Sequence, residues 1–340
     1  MPKKILIKGV NWVGDTILTL PALKKIKKIY PDSRLTVLVK KPLSSLFAGV
    51  PYVDEVIPYV LRKNLFLKII DHLSLIKKIK KQKFNTAIVL PNSFAAALLV
   101  SFSSISEKIG YKGNFRNILL TKKIKKTTKI LERHQVEYYL NIINQLTSET
   151  SLNYEVPELI IPETIEQQTN RLIKNNSTPL IGINPGAIYG SAKRWPEKKY
   201  ITLSNQLLEK NYHLIFFGSS AEEELIANIQ KQLSSPIINM AGKTSLIEAA
   251  CLIKKCKAFI SNDSGLMHIA SAVKTPIIAI FGPTKEHHTA PLGEHTIIRS
   301  NKKLPCVPCM KRECPLKHHD CMESIEVDMV LKELEKTLKV

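Results

Sequence analysis

The chain has 340 residues, with 50 Lys and Arg against 29 Asp and Glu, a formal charge of +21, and 44% hydrophobic residues. That length gives room for two α/β domains with good cores. It holds no run of 18 apolar residues, because the nearest candidate, Ala87 to Val100, is broken by Pro91-Asn92-Ser93, and the basic start Met1-Pro2-Lys3-Lys4 lacks the apolar core and cleavage site of a secretory signal. A membrane span and export are excluded on these grounds, and the expected location is the cytoplasm.

Lys4 to Gly9 reads as a short strand, Val10 to Asp15 as a loop, Thr16 to Ile29 as a helix with Pro21 in its early part, and Ser33 to Val39 as the next strand. This is a βαβ unit. Gly9 and Gly14 have P-loop spacing, but Asp15-Thr16 follows where Lys-Ser/Thr is needed, so a P-loop kinase or ATPase is excluded. Asp15 at the helix start has two readings: a helix cap, or a carboxylate kept ionised by the helix dipole and ready to accept a proton.

From Val60 to His134 there are 17 Lys or Arg and three acids, Asp71, Glu107 and Glu132, so the amino half is the basic half. Such a field concentrates nucleic acid, phosphorylated glycolipid or an anionic leaflet. The competing reading is biased composition, with solvated lysines on outer helix faces such as Ser74 to Lys83. Nucleic acid is the weaker partner, because no helix-turn-helix, RRM, KH or zinc-finger pattern accompanies the charge.

Residues 150 to 178 are polar and proline-punctuated and divide the chain. Four strand ends follow. Leu180 to Asn184 leads into Pro185-Gly186-Ala187 and Gly190 to Pro196, with a helix from about Glu197. Leu214 to Phe217 leads into Gly218-Ser219-Ser220 and the acidic start Ala221-Glu222-Glu223-Glu224. Ala258 to Ile260 leads into Asn262-Asp263-Ser264-Gly265 and a helix over Leu266 to Val273, and Pro276 to Phe281 ends in Gly282-Pro283-Thr284. Together they describe the carboxyl edge of a parallel sheet, where ligands bind, with Asp263, Ser264 and Gly265 at an anion-favouring helix N-terminus. Cys251 and Cys256 read as buried small residues of a helix. Cys306, Cys309, Cys314 and Cys321, with His318 and His319 between the last two, read either as a zinc knuckle or as a compact loop of thiols.

The order of blocks along the chain resembles glycosyltransferase family 9, the ADP-heptose:lipopolysaccharide heptosyltransferases. The blocks are Gly14-Asp15-Thr16 through Leu23, Pro185-Gly186-Ala187 with Lys193-Arg194-Trp195-Pro196, Ala241 to Leu246, Asn262 to His268, and Phe281 to Thr284. The likeness spans nearly the whole chain, and the Lys-Arg-Trp-Pro block and the cysteine-rich tail are most similar to the heptosyltransferase II branch. The resemblance implies an α/β GT-B fold, two Rossmann-like domains with parallel sheets facing across a cleft. It implies an acceptor domain over 1–160, a nucleotide-sugar domain over 161–325, and a final helix, Val327 to Leu338 within 326–340, returning to the first domain.

The implied chemistry is inverting transfer of heptose from ADP-heptose to an inner-core heptose of a phosphorylated lipid A-core acceptor. Asp15 is the implied base and Lys193 the group on the diphosphate. Gly186, Glu222, Thr244, Asp263, Ser264, Gly265, Leu266, His268, Gly282 and Thr284 are the implied substrate contacts. Glu222 is matched to the ribose, with Glu223 and Glu224 equally near in sequence, and His268 also reads as a packed helix residue. No Asp-x-Asp motif offers a metal clamp, so neither a metal nor another cofactor is expected. The implied setting is peripheral, at the anionic inner face of the inner membrane, without nucleic acid. The competing functions are a related transferase with another acceptor, such as Kdo, another core sugar or a protein, and a non-catalytic nucleotide or nucleic-acid binding module.

Overall fold

The computed structural model describes residues 3–147, 152–173 and 179–339. The chain forms two compact units, Met1–Glu155 and Val156–Val340. The polar segments 148–151 and 174–178, which the sequence reading places at the division, lie outside the described residues. The second unit begins earlier than the expected 161. Leu159 and Ile161 are already buried, and the Leu159 amide donates to the Ala272 carbonyl of that unit at 2.9 Å.

The first unit runs β1 (Lys4–Lys8), α1 (Val13–Ile29), β2 (Arg34–Lys40), α2 (Lys41–Ser44), β3 (Glu55–Tyr59), α3 (Leu65–Gln82), β4 (Thr86–Val89), α4 (Phe94–Ser101), β5 (Glu107–Tyr111), β6 (Lys122–Ile124), α5 (Thr128–Leu131) and α6 (Gln135–Thr147). Its six strands lie in the order β3-β2-β1-β4-β5-β6 and pair in parallel. Sequential strands thus build outward from β1 and then from β4, and the reversal leaves a crevice beyond the carboxyl ends of β1 and β4. The loop from Gly9 to Trp12 opens there.

The second unit repeats this order with α7 (Glu163–Asn170), β7 (Leu180–Asn184), α8 (Glu197–Glu209), β8 (His213–Phe216), α9 (Glu223–Gln230), β9 (Ile238–Asn239), α10 (Leu246–Lys254), β10 (Ala258–Asn262), α11 (Gly265–Ala272), β11 (Ile277–Ile280), α12 (Glu286–Thr289), β12 (His295–Ile298), α13 (Asp320–Glu323) and α14 (Val327–Leu338). The sheet order is β12-β11-β10-β7-β8-β9, again parallel, with the reversal between β7 and β10. Its strands are near-continuous apolar runs because helices cover both faces.

Helix α14 has the expected bounds, but its apolar face belongs to the second unit. Val330 and Leu334 are fully buried in one core with Trp195, Tyr200, Leu203 and Ile280, and the helix packs on α8 and β10 to β12. Two helices start earlier than the sequence suggests. α1 begins at Val13, which puts Asp15 inside the first turn, and α3 begins at Leu65 instead of Ser74. No described helix is long and apolar enough to cross a membrane.

Candidate functional site

The carboxyl edge of the second sheet is built around two buried asparagines at the strand reversal. Asn184 ends β7 and Asn262 ends β10. The Asn262 amide donates to the carbonyls of Pro185 at 2.8 Å and Gly186 at 3.2 Å, and its oxygen accepts from the Trp195 amide at 3.1 Å and the Tyr200 hydroxyl at 3.0 Å. One side chain thereby fixes both ends of the loop from Pro185 to Trp195. Asn184 donates to the Phe217 carbonyl at 2.9 Å and accepts from Ser264 at 2.7 Å and Ser261 at 3.3 Å. A buried, satisfied network of this kind rigidifies the groups it carries.

That loop presents Lys193 from a short 3₁₀ turn, Ser191–Lys193. The Lys193 ammonium donates to Asp263 Oδ2 at 2.5 Å and sits 4.8 Å from the centre of the Tyr189 ring. Asp263 Oδ2 also accepts from Thr284 at 2.7 Å. Three residues distant in sequence, Lys193, Asp263 and Thr284, are joined at the start of α11. Ser264, the residue before that helix, makes no side-chain cap, because its hydroxyl is engaged by Asn184. The first-turn amides from Gly265 and Leu266 therefore head a helix without a side-chain cap, the arrangement that favours an anion. His268 is buried further along α11.

Glu222 is buried, and its Oε2 accepts from the amide of Ser219 at 2.7 Å and from the Ser219 hydroxyl at 2.9 Å in a capping box. Its other oxygen would lie only 1.8 Å from a Cβ at Gly186, so Gly186 must be glycine for the carboxylate to reach the loop. Glu223 instead fills the space beside Gly242, which separates Glu222 and Glu223, two of the three acids that the sequence leaves equivalent. Gly282 has a packing explanation, since a Cβ there would be 2.3 Å from Met322 Sδ. Thr244 is half-buried in the turn before α10, with no hydrogen bond to this cluster among the described residues.

The cysteine-rich segment clasps the Lys193 loop from outside. The Arg312 carbonyl accepts from the Ala192 amide at 3.0 Å and would be 2.1 Å from a Cβ at Gly190, while the Tyr189 hydroxyl donates to the Met310 carbonyl at 3.0 Å. His319 meets the Ala192 carbonyl at 2.9 Å. Cys306, Cys309, Cys314 and Cys321 line one small hollow with His318 and His319. Burial, then the neighbouring thiols, push the Cys321 thiol up to about 11. Among the described residues no group of three or more His, Cys, Asp or Glu is arranged to hold a metal ion.

In the first unit Asp15 lies in the opening turn of α1, which has no side-chain cap at Trp12, so it is not the cap residue. It shares a hydrogen bond with Tyr139 of α6, a buried phenol held well above its usual range by burial and then by the Asp15 charge. Lys8, at the end of β1, is buried, and its ammonium donates to the Gly9 carbonyl at 2.8 Å and the Tyr59 hydroxyl at 3.1 Å. Burial, followed by the charge of Lys40, lowers Lys8 to about 7. Arg116, also buried, is fixed to the Pro91 carbonyl and to Asn92.

The sequence reading selected Lys193, Asp263 and Thr284 but gave no role to Asn184, Asn262, Tyr189, Tyr139 or Lys8. For Lys8 a signal existed, a lysine closing an apolar strand. For the asparagines it did not, because their work is done on groups remote in sequence.

Comparison with known proteins assigns the family. Residues 72–319 match the model of glycosyltransferase family 9 (heptosyltransferase). The chain is 32% identical to lipooligosaccharide heptosyltransferase 2 of Haemophilus ducreyi, over 98% of this chain and 99% of that one. It is 30% identical to lipooligosaccharide heptosyltransferase 2 of Campylobacter jejuni serotype O:2, over 99% and 98%. The solved structure of ADP-heptose LPS heptosyltransferase II of Escherichia coli superposes with a TM-score of 0.84 at 30% identity, covering 99% of this chain and 98% of that one. The two parallel six-stranded sheets are those of the GT-B fold, and the chain belongs to glycosyltransferase family 9, the heptosyltransferases.

Proposed function

We propose that the chain transfers heptose from ADP-heptose to an inner-core heptose of lipopolysaccharide, with inversion at the anomeric carbon. The observation that carries this reading is the Lys193, Asp263 and Thr284 cluster at the uncapped start of α11, in a chain similar to heptosyltransferase 2 enzymes along its whole length. An incoming diphosphate takes over the Lys193 ammonium and the α11 amides. These fixed donors stabilise the charge that develops as ADP leaves, and such preorganised stabilisation is the main source of rate enhancement open to a transferase without a metal clamp. Glu222, aimed at Gly186, accepts the ribose hydroxyls.

Asp15 takes the proton from the acceptor hydroxyl, and attack on the face opposite ADP inverts the centre. Its hydrogen bond to Tyr139 orients the carboxylate. Incubating the purified chain with ADP-heptose and a lipid acceptor carrying one heptose tests the reading. The expected product has a new glycosidic bond of inverted configuration by NMR, formed at an undiminished rate in excess EDTA. Turnover only with another acceptor, retention, or a loss that Mg²⁺ restores each contradicts it.

The acceptor side calls for an anionic partner. The excess of lysine between Val60 and His134 recruits phosphorylated acceptor and anionic leaflet through a screened field, which weakens as the Debye length falls below about 8 Å. Reversing Lys77, Lys78, Lys80 and Lys81 to Glu is expected to raise KM for membrane-embedded acceptor and leave KM for ADP-heptose unchanged.

A further inference from the structure

Helix α3 is turned partly inside out at its amino-terminal half. Leu65 is 74% exposed, Phe66 70%, Ile69 52%, Ile70 41% and Leu73 61%, while the helix reaches the core through Leu75 and Ile79. At 3.6 residues per turn the exposed residues fall on one face. Single exposed apolar residues are ordinary, but five large ones on one face form a contiguous patch that marks an interaction surface.

The charge on the same face narrows the partner. The ladder Phe66, Ile70, Leu73 continues in steps of three and four residues to Lys77, Lys80 and Lys81, all exposed. Lys63, exposed just before the helix, flanks the patch at its other end. The one acid on α3, Asp71, is already held by Arg62 at 2.6 Å. A second copy of this face would oppose lysine to lysine. An apolar centre bracketed by lysines matches the boundary between acyl chains and anionic headgroups.

We propose that the outer face of α3 docks on an anionic bilayer, inserting Phe66, Ile69, Ile70 and Leu73 below the headgroups while Lys77, Lys80 and Lys81 bind lipid phosphates. This deepens the reading that the acceptor is lipid-linked, and it adds an apolar anchor to the screened recruitment described above. The lysine contacts fade with salt; the apolar anchor does not.

Co-sedimentation of the full chain with phosphatidylcholine vesicles, with and without phosphatidylglycerol, tests the proposal without donor or acceptor, so its outcome is independent of the reaction proposed. Binding is expected to require phosphatidylglycerol at low salt and to keep a salt-resistant part once formed. The variant Phe66→Gln, Ile69→Gln, Leu73→Gln alters only the exposed face and is expected to bind at least about 10-fold more weakly, losing the salt-resistant part. In a Phe66→Trp variant the emission is expected to shift to the blue on vesicle binding. Unchanged vesicle binding by the triple variant, or unshifted emission from bound Phe66→Trp protein, overturns the proposal. So does a wild-type dimer in sedimentation velocity that the triple variant dissociates while its vesicle binding persists.

Discussion

The two units share one strand order and differ in how they treat buried charge. At the carboxyl edge of the second sheet the half-buried cation is matched within the chain: Lys193 is paired with Asp263, which also holds Thr284. At the corresponding edge of the first sheet the buried cations Lys8 and Arg116 are met by neutral oxygens, the Gly9 carbonyl and Tyr59 hydroxyl for one, the Pro91 carbonyl and Asn92 for the other. Desolvation acts on both of them, lowering each pKa. The second edge carries an internal partner for its lysine, which the proposed incoming diphosphate would displace. The first meets its cations with neutral oxygens among the described residues, an arrangement that suits the proposed anionic acceptor.

The sharpest way to break this comparison is at Asp15, the proposed base. Asp15→Ala is expected to lower kcat by about 10² to 10⁴ while ADP binding by calorimetry stays unchanged. Near-normal kcat would reduce Asp15 to a helix-start residue. Lys193→Ala is expected to cost about 10² to 10³ in kcat, by removing a fixed donor to the leaving group. Steady-state rates at saturating acceptor check it, and a loss confined to the KM for donor would show that Lys193 binds the ground state and transition state alike.

The network behind that lysine is tested by stability. Asn262→Leu keeps the branching and heavy-atom count but strands the Trp195 amide and the Tyr200 hydroxyl in the core, at a cost of about 2–4 kcal/mol. Urea denaturation reads this, and an unchanged midpoint would mean that the loop finds other partners.

The smallest effect concerns Lys8. Its folded pKa of about 7 lies below the unfolded value of 10.5, so between those values the unfolded chain binds more protons and stability rises with pH. The rise is about 1.4 kcal/mol per pH unit at most, or about 2–3 kcal/mol between pH 7 and pH 9. Lys8→Met is expected to flatten that part of the denaturation profile and to stabilise the protein most at pH 7 and below. An identical slope in wild type and variant would place the depressed titration elsewhere.

Much of this contrast was legible in the sequence and some was not, for reasons particular residues make plain. Strand ends such as Asn184 and Asn262 are visible because apolar runs stop abruptly at polar turns. The bond from Lys193 to Asp263 is not visible, since it joins positions 70 residues apart. The start of α3 at Leu65 is hidden from the sequence because the apolar residues between Leu65 and Leu73 point outward. Apolar periodicity reports that a face is apolar without saying what it faces. The Cys306 to Cys321 cluster was legible as a cluster, yet its role as a clasp on Gly190 and Ala192 depends on backbone carbonyls, which carry no sequence signal.

The burial of Val330 and Leu334 beside Trp195 bears on the order in which the molecule is made. Among the described residues the core of the first unit is complete by the end of α6 at residue 147, so it can close while translation continues. The second cannot. Its sheet is synthesised by residue 298, but the core against Trp195 stays open until Leu334 has left the ribosome, and the Lys193 loop stays unclasped until Arg312 has. At about 5–20 residues per second, the nascent chain spends seconds with one unit closed and the other exposing apolar surface. A ribosome stalled after β12 would display a complete sheet whose Lys193 loop is still unclasped.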